Sequence, residues 1–306
     1  MHSRYSIFTA RAFVTKGNKM SFTEEKNKVE KSVLYLVATP IGNLADITER
    51  ALKVLSEVDF VAAEDTRNSG LLLSRLGLKK SMVSYHDHNR AERGPEIIER
   101  LKNGESCALI SDAGMPAISD PGEDLVALCA SEGIKVSIIP GACAAVSALA
   151  LSGLSTRRFS FEGFLPAAGK ERKKRLTDIA KEERTLIVYE APHRLKKTLA
   201  ELAEYFGGER RIALCRELTK LNEEILRFTI AGAIEYYEST EPRGEYVLVI
   251  EGAPEASEEE EALNIADRAA ALMAGGMSQK DAIKTIVKET GLPKNKVYAE
   301  VLKNNE

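Results

Sequence analysis

The sequence predicts an α/β protein: two successive α/β domains followed by a small helical domain. Three observations carry this expectation. Short apolar runs alternate with amphipathic stretches up to about residue 252, the pattern of strands and helices in a mostly parallel sheet covered on both faces. Segments rich in Gly, Pro and Asp fall repeatedly just after those apolar runs, as if one sheet edge were given over to ligand loops. A chain of 306 residues, 44% hydrophobic and 29% charged, has material for two cores and the composition of a soluble globular protein.

Residues 1–31 show no period that continues into the body and are expected to form a disordered N-terminal extension. The first α/β domain is placed at 32–152. Its strand Val33–Ala38 precedes the loop 39–44, and Asp46 with Glu49 resembles a capping box opening a helix to about Leu55. Strand 58–63 runs into Glu64-Asp65-Thr66-Arg67, then helix 67–77 ends at Gly77. A short strand near 82–84, the polar stretch 85–89 and a helix from about Pro95 to Lys102 follow. Strands 107–111 and 135–139 flank a helix at 122–132, and helix 142–152 closes the domain. The second domain, 153–253, is read with strands at 159–163, 185–189, 211–215, 225–230 and 245–251. The last two strands have only a short helix between them, so this sheet is expected to be mixed. Residues 254–261 read as an acidic linker. The domain 262–306 reads as three helices: 262–274, one capped by Ser278 with Asp281 in the box position and ending at Gly291, and one opened by Pro293. This is the outline of a helix-turn-helix or of a helical packing domain.

The segment 109–122 is the most informative in the chain. An apolar run breaks into a loop holding Asp112, Asp120, two glycines and two prolines. Glycine lets backbone approach a ligand, proline stiffens the loop, and a carboxylate can meet an ammonium or a ribose hydroxyl. Several chemistries are disfavoured. There is no Walker A loop, no Gly-x-Gly-x-x-Gly and no Gly-x-Ser-x-Gly elbow. Four dispersed cysteines without a Cys-x-x-Cys pair, and only four histidines, argue against a metal site and for reduced thiols in a cytoplasmic protein. No apolar run approaches the ~20 residues of a membrane span. A net charge of −3 gives no global case for nucleic acid, but residues 157–175 carry a local excess of +5. That run reads either as a solvated helix start or as a flexible basic loop.

Taken together, the post-strand segments resemble one family. Leu34 to Leu44, Glu64-Asp65-Thr66-Arg67, Ser84-Tyr85-His86-Asp87-His88-Asn89, the 109–122 loop, Ile139-Pro140-Gly141-Ala142, Gly163-Phe164-Leu165-Pro166, Tyr189-Glu190-Ala191-Pro192-His193-Arg194 and Arg216-Glu217-Leu218-Thr219-Lys220 occur in the order found in the ribosomal RNA small subunit methyltransferase I family of the tetrapyrrole-methylase superfamily. Ala191 stands where serine is usual. The resemblance implies two α/β domains with S-adenosylmethionine in the cleft between them, usually as a homodimer. The implied reaction is 2′-O-methylation of a cytidine in the decoding region of small-subunit ribosomal RNA, naked or in the assembled subunit. It implies cofactor contacts from Thr39, Pro40, Asp112, Ala113, Gly114, Met115, Pro116, Gly141, Ala142, Tyr189, Glu190 and Ala191. RNA contacts are expected from Lys170, Arg172, Lys173, Lys174, Arg175, His193 and Arg194.

A sulfonium methyl is already electrophilic, so alignment of the attacking oxygen is the main requirement, with help from a general base. Glu190, His193 and Lys220 are the candidates for that base, with Glu217 beside them; no metal is expected. The rival readings are a small-molecule methylase of tetrapyrrole type, a DNA-binding regulator acting through the helical tail, and a catalytically silent scaffold.

Overall fold

The computed structural model describes residues 28–254, 258–290 and 292–303, with side chains at 265–290, at 292–302 and throughout 28–254. Of the expected N-terminal extension, residues 1–27 lie outside the described residues, as do 255–257 of the acidic linker and Gly291. The segment before Val33 is tied to the body: the Glu30 backbone N–H donates to the Tyr35 hydroxyl at 2.8 Å, and its carboxylate meets Lys135 Nζ at 2.7 Å. The chain divides into two compact units after Ala144, so the helix expected to close the first domain groups with the second.

The first unit runs β1 (Val33–Val37), α1 (Glu49–Glu57), β2 (Phe60–Ala63), α2 (Thr66–Arg75), β3 (Ser81–Ser84), α3 (Arg90–Lys102), β4 (Cys107–Ile110), α4 (Glu123–Ser131) and β5 (Lys135–Ile139). All five strands are parallel, in the order β3-β2-β4-β1-β5. The strands read as unbroken apolar runs because both faces are buried. Val33, Tyr35, Val37, Val61, Ala63 and Ile110 face one way, against Val54 and Leu55 of α1 and Leu73 of α2. Leu34, Phe60, Ala62 and Leu109 face the other way, against Ile97 and Leu101 of α3 and Leu125 of α4. Each fully buried Val, Leu, Ile or Phe among them contributes about 1.5–3 kcal/mol of transfer free energy.

Two boundaries differ from expectation. Thr48, not Asp46, caps α1: its Oγ1 accepts from the Ala51 N–H at 3.0 Å. Asp46 instead ends a single 3-10 turn, 44–46, whose cap is Asn43. Helix α3 starts at Arg90, five residues before Pro95, because Asn89 builds the launching turn. Its side chain accepts from His86 N at 2.9 Å and donates to the Ser84 carbonyl at 3.0 Å.

The second unit contains α5 (Ala144–Ser152), β6 (Phe159–Phe164), α6 (Gly169–Ala180), β7 (Thr185–Glu190), α7 (Pro192–Phe206), β8 (Arg211–Arg216), β9 (Glu224–Thr229), α8 (Ile230–Ser239) and β10 (Tyr246–Ile250). Its sheet, ordered β6-β7-β10-β8-β9, is mixed as the short β9–β10 connection required. β6 and β7 are parallel, while β10 runs antiparallel between β7 and β8. Tyr246, at the start of β10, therefore stands opposite both Glu190 and Arg216. The ends of β7 and β8 share one sheet edge.

The tail forms α9 (Glu258–Ala274), α10 (Gln279–Thr290) and α11 (Lys294–Lys303) around its own core of Ile265, Ala269, Ile283, Ile286, Val297 and Val301. The acidic run 258–261 begins α9 rather than forming a linker. Ser278 caps α10 as expected, accepting from Asp281 N at 3.2 Å and donating to its carboxylate at 2.6 Å.

Candidate active site

In the first unit, adjacent strands β1 and β4 send their chains to opposite sides of the sheet, β1 towards β2 and β4 towards β5. Loops that diverge in this way open a crevice at the carboxyl edge, where α/β sheets hold ligands. Here the two loops are stitched together. Thr39 N donates to the Gly114 carbonyl at 2.8 Å and Gly114 N to the Thr39 carbonyl at 3.1 Å. The Thr39 hydroxyl donates to the Ser111 carbonyl at 3.3 Å. Gly114 has φ +83°, and a Cβ there would lie 3.1 Å from Ile41 Cγ2 and 3.6 Å from the Ala142 carbonyl oxygen. At Gly141 a Cβ would meet that of Ala38 at 2.8 Å. Thr39, Pro40, Asp112 to Pro116, Gly141 and Ala142 thus converge on one edge. Ala117 and Ser119, at φ +66° and +59°, hold the rest of the loop in a conformation that non-glycine residues adopt only at a cost.

Carboxylates gather on this edge. Asp112 is exposed and accepts from Asn68 Nδ2 at 2.8 Å. Glu64, at the end of β2, titrates above the usual carboxylate range, through burial first and then the nearby charges of Asp120, Asp112 and Asp87. Asp120 is also raised, by burial and by Asp112, against a lowering hydrogen bond from Ser111. Glu64, Asn68 and Asp120 are absent from the residues chosen on sequence. The signal for Glu64 was its position directly after an apolar run, in a segment already singled out. Its neighbour Asp65 is structural: it caps α2 and meets Arg67 Nη2 at 2.7 Å.

The second unit brings several expected residues together in a different role. Glu190 is 2% exposed. Its Oε1 accepts from the Ala191 N–H at 2.9 Å and lies 3.3 Å from Arg194 Nε, while Oε2 accepts from the Thr198 hydroxyl at 2.5 Å. Both oxygens of this buried carboxylate are engaged by protein groups. Arg172 is also 2% exposed. It donates to Glu201 Oε2 at 2.7 Å, to the Pro166 carbonyl at 2.9 Å and to Thr198 Oγ1 at 2.7 Å. Arg194 Nη2 donates to the neighbouring Leu165 carbonyl at 2.7 Å. Two arginines therefore clamp successive carbonyls of the Gly163-Phe164-Leu165-Pro166 segment. Arg172 is corrected from an RNA contact to a buried strut, and Arg194 also serves that clamp. Tyr189 packs its ring edge-on to Phe161 and Phe164 at 5.1 and 5.5 Å.

The basic run is helix, not flexible loop. Lys170, Lys173, Lys174 and Arg175 line the exposed side of α6, with Lys174 paired to Asp178 at 2.9 Å and Arg175 to Glu162 at 3.1 Å. His193 is exposed in the first turn of α7. Lys220 is held between Glu217 and Glu245 at 2.9 and 2.8 Å. Burial opposes its charge, but the hydrogen bonds it donates to Glu245 and Glu217 outweigh it and raise the ammonium pKa. It is therefore a proton-bearing strut and not a base. Of the three candidates, His193 alone keeps an imidazole without a hydrogen-bond or ion-pair partner among the described residues.

Comparison with known proteins identifies the family. A family profile described as Tetrapyrrole (Corrin/Porphyrin) Methylases matches residues 33–234. "Ribosomal RNA small subunit methyltransferase I" of Synechocystis sp. is 48% identical over 271 residues, spanning 87% of this chain and 96% of that protein. The protein of the same name from Haemophilus influenzae is 48% identical, spanning 87% of this chain and 95% of its own length. Among solved structures, uroporphyrin III C-methyl transferase from Thermus thermophilus shares the fold, with a TM-score of 0.53 at 17% identity over 72% of this chain and 97% of that one. The chain belongs to the tetrapyrrole methylase family and, within it, to the ribosomal RNA small subunit methyltransferase I group.

Proposed function

From that membership we propose that the chain transfers a methyl group from S-adenosylmethionine to the 2′-hydroxyl of a cytidine in the decoding region of small-subunit ribosomal RNA, acting as a cytoplasmic homodimer. The observation that carries the cofactor part is the stitched Thr39–Gly114 loop pair beside Asp112, Glu64 and Asp120. The residues present fit the cofactor in two ways. Gly114 and Gly141 clear space that any Cβ would fill. The partly buried carboxylates, each raised by burial first and then by neighbouring charges, favour a cationic guest. Asp112 is the natural partner for an ammonium or ribose hydroxyl, and the loop backbone at Thr39, Gly114 and Gly141–Ala142 for the remaining polar groups. When bound, S-adenosylmethionine supplies a methyl group on a sulfonium, already activated for attack.

The protein's own work is then alignment and proton removal. The Arg172–Thr198–Glu190–Arg194 network fixes the 163–166 segment and the start of α7, which carries His193. An imidazole nitrogen of His193 accepts the proton lost by the ribose hydroxyl. The exposed cations of α6 meet RNA phosphates. The test is methyl transfer by the purified protein to small-subunit ribosomal RNA and to assembled subunits, followed by mass spectrometry of nuclease digests. 2′-O-methylcytidine is the expected product; a base-methylated nucleoside, or no product from either substrate, overturns the reading. His193→Gln should lower kcat while leaving cofactor affinity unchanged.

A further inference from the structure

We infer that the polar pocket at the end of α8 is an oxyanion site that takes a phosphodiester of the RNA substrate; the inference rests on the RNA reading above. The pocket, about 400 Å³, is lined by Arg216, Glu224, Tyr237, Thr240, Arg243 and Tyr246 among others. That volume suits part of a nucleotide.

Its charged lining residues are two arginines and two glutamates, Arg216, Arg243, Glu224 and Glu241. Glu224 is paired with Arg216 Nη2 at 3.2 Å, and Glu241 at the rim with Lys196 at 2.7 Å. Both lining acids are therefore engaged. The exposed guanidinium of Arg243 has no ion-pair partner among the described residues. The remaining polar side chains are Arg216 and hydroxyls, all of which can donate to an anion. Arg216 Nε–H is buried without an acceptor. The Tyr246 hydroxyl oxygen accepts from the Tyr237 hydroxyl at 3.2 Å and from Arg243 N at 3.3 Å, which fixes it at the wall of the pocket. A buried donor without an acceptor costs about 1–3 kcal/mol. Arginine and hydroxyl donors around one cavity match an oxygen-rich anion, and arginine suits phosphate in particular.

Placement ties the pocket to the proposed chemistry. Tyr246 is paired across the sheet with Glu190 and Arg216, so the pocket borders the edge from which segments 189–194 and 216–220 depart. The turn carrying Arg243 is locked to the second of these. Glu217 N donates to the Glu245 carbonyl at 3.1 Å, and Glu245 N donates to Glu217 Oε1 at 3.0 Å. Gly244, at φ +75°, lies so close to Glu217 that a Cβ would stand 2.5 Å from its Cγ. The anion site is thus formed before a ligand arrives.

The test compares the full-length protein with Arg243→Gln and Tyr246→Phe, measuring affinity for a small-subunit ribosomal RNA fragment between 50 and 200 mM salt. One lost phosphate contact should lower the slope of log K against log salt by about one, so the variant loses roughly three- to four-fold less affinity over that range. S-adenosylmethionine affinity should not change, and inorganic phosphate should compete with RNA for the wild type but not for Arg243→Gln. An unchanged slope in Arg243→Gln, with ribosomal RNA still methylated, overturns the pocket and leaves the function standing. Phosphate binding that is lost in Arg243→Gln while RNA binding is untouched overturns the RNA assignment in favour of a small oxyanion. Wild-type protein that neither binds nor methylates ribosomal RNA overturns the functional reading and the phosphodiester assignment with it.

Discussion

Replacing Arg172 by methionine tests the reading of the second unit most severely. The guanidinium is 2% exposed and reaches three partners: Glu201 at 2.7 Å, Thr198 at 2.7 Å and the Pro166 carbonyl at 2.9 Å. Breaking one side of a buried ion pair costs about 3–5 kcal/mol, because the surviving charge is stranded. Glu201 is 24% exposed and has Lys197 at 3.9 Å, so it rehydrates in part and the lower end applies to the pair. Loss of hydrogen bonds to the Pro166 carbonyl and Thr198 restores some of that discount, giving about 3–4 kcal/mol in all. At about 2–4 °C per kcal/mol, the melting midpoint should fall by roughly 10 °C. Lysine at 172 should recover only part of the loss, since a point charge cannot fork to a carboxylate and a carbonyl together. Urea denaturation of Arg172→Met, Glu201→Gln and the double variant gives the coupling energy. A loss below about 1 kcal/mol, or a weakened RNA salt slope with stability intact, would return Arg172 to the RNA-binding surface.

Three further outcomes are expected. Gly114→Val should weaken S-adenosylmethionine binding by more than tenfold in calorimetry, because a branched side chain at φ +83° strains the loop and collides with Ile41; wild-type affinity there and in Asp112→Ala would dismiss the 111–122 loop as the cofactor site. Glu64 and Asp120 have folded-state pKa values above their unfolded values of 4.5 and 3.8, so the stability they contribute is present below those values and is lost as pH rises through the folded ones. Glu64→Gln and Asp120→Asn should therefore melt higher than wild type at pH 8, with the gap closing towards pH 4; a gap constant with pH refutes the assignment. Neutralising Lys173, Lys174 and Arg175 together should flatten the salt dependence of RNA binding without changing cofactor affinity, and an unmoved slope would reduce them to a solvated helix face.

The convergence of loops at the carboxyl edge of the first unit was legible because its geometry is local. A glycine that must accept φ +83°, a proline-stiffened loop and an aspartate all sit within a few residues of the strand that ends there. Arg172 was misread for the opposite reason: four cations in a row look alike in sequence, and only packing separates them. The clue was its spacing, since Arg172, Leu176 and Ile179 fall at i, i+4 and i+7, the inward stripe of a helix, and all three are buried. Asp46 was expected to cap α1, but the 3-10 turn that Asn43 initiates takes up Asp46 and leaves the cap to Thr48. The gathering of Glu64 with Asp112 and Asp120 depended on strand order, which places β2 beside β4 and which no local pattern encodes.

The clamp beneath α6 separates two properties that usually trade against each other. Its inner side is fixed by Arg172, Leu176 and Ile179, whereas Lys170, Lys173, Lys174 and Arg175 project from the outer side of the same helix. Cations mounted on a rigid bracket lose little backbone freedom when an anionic partner arrives, so their attraction reaches the binding constant with less entropic loss than a mobile loop would incur. Charge on the outer side can be raised, lowered or redistributed without disturbing the buried strut. Under the proposed RNA reading, affinity for a polyanion is adjustable in small steps while the fold stays constant, both for natural drift and for an engineer retuning the surface.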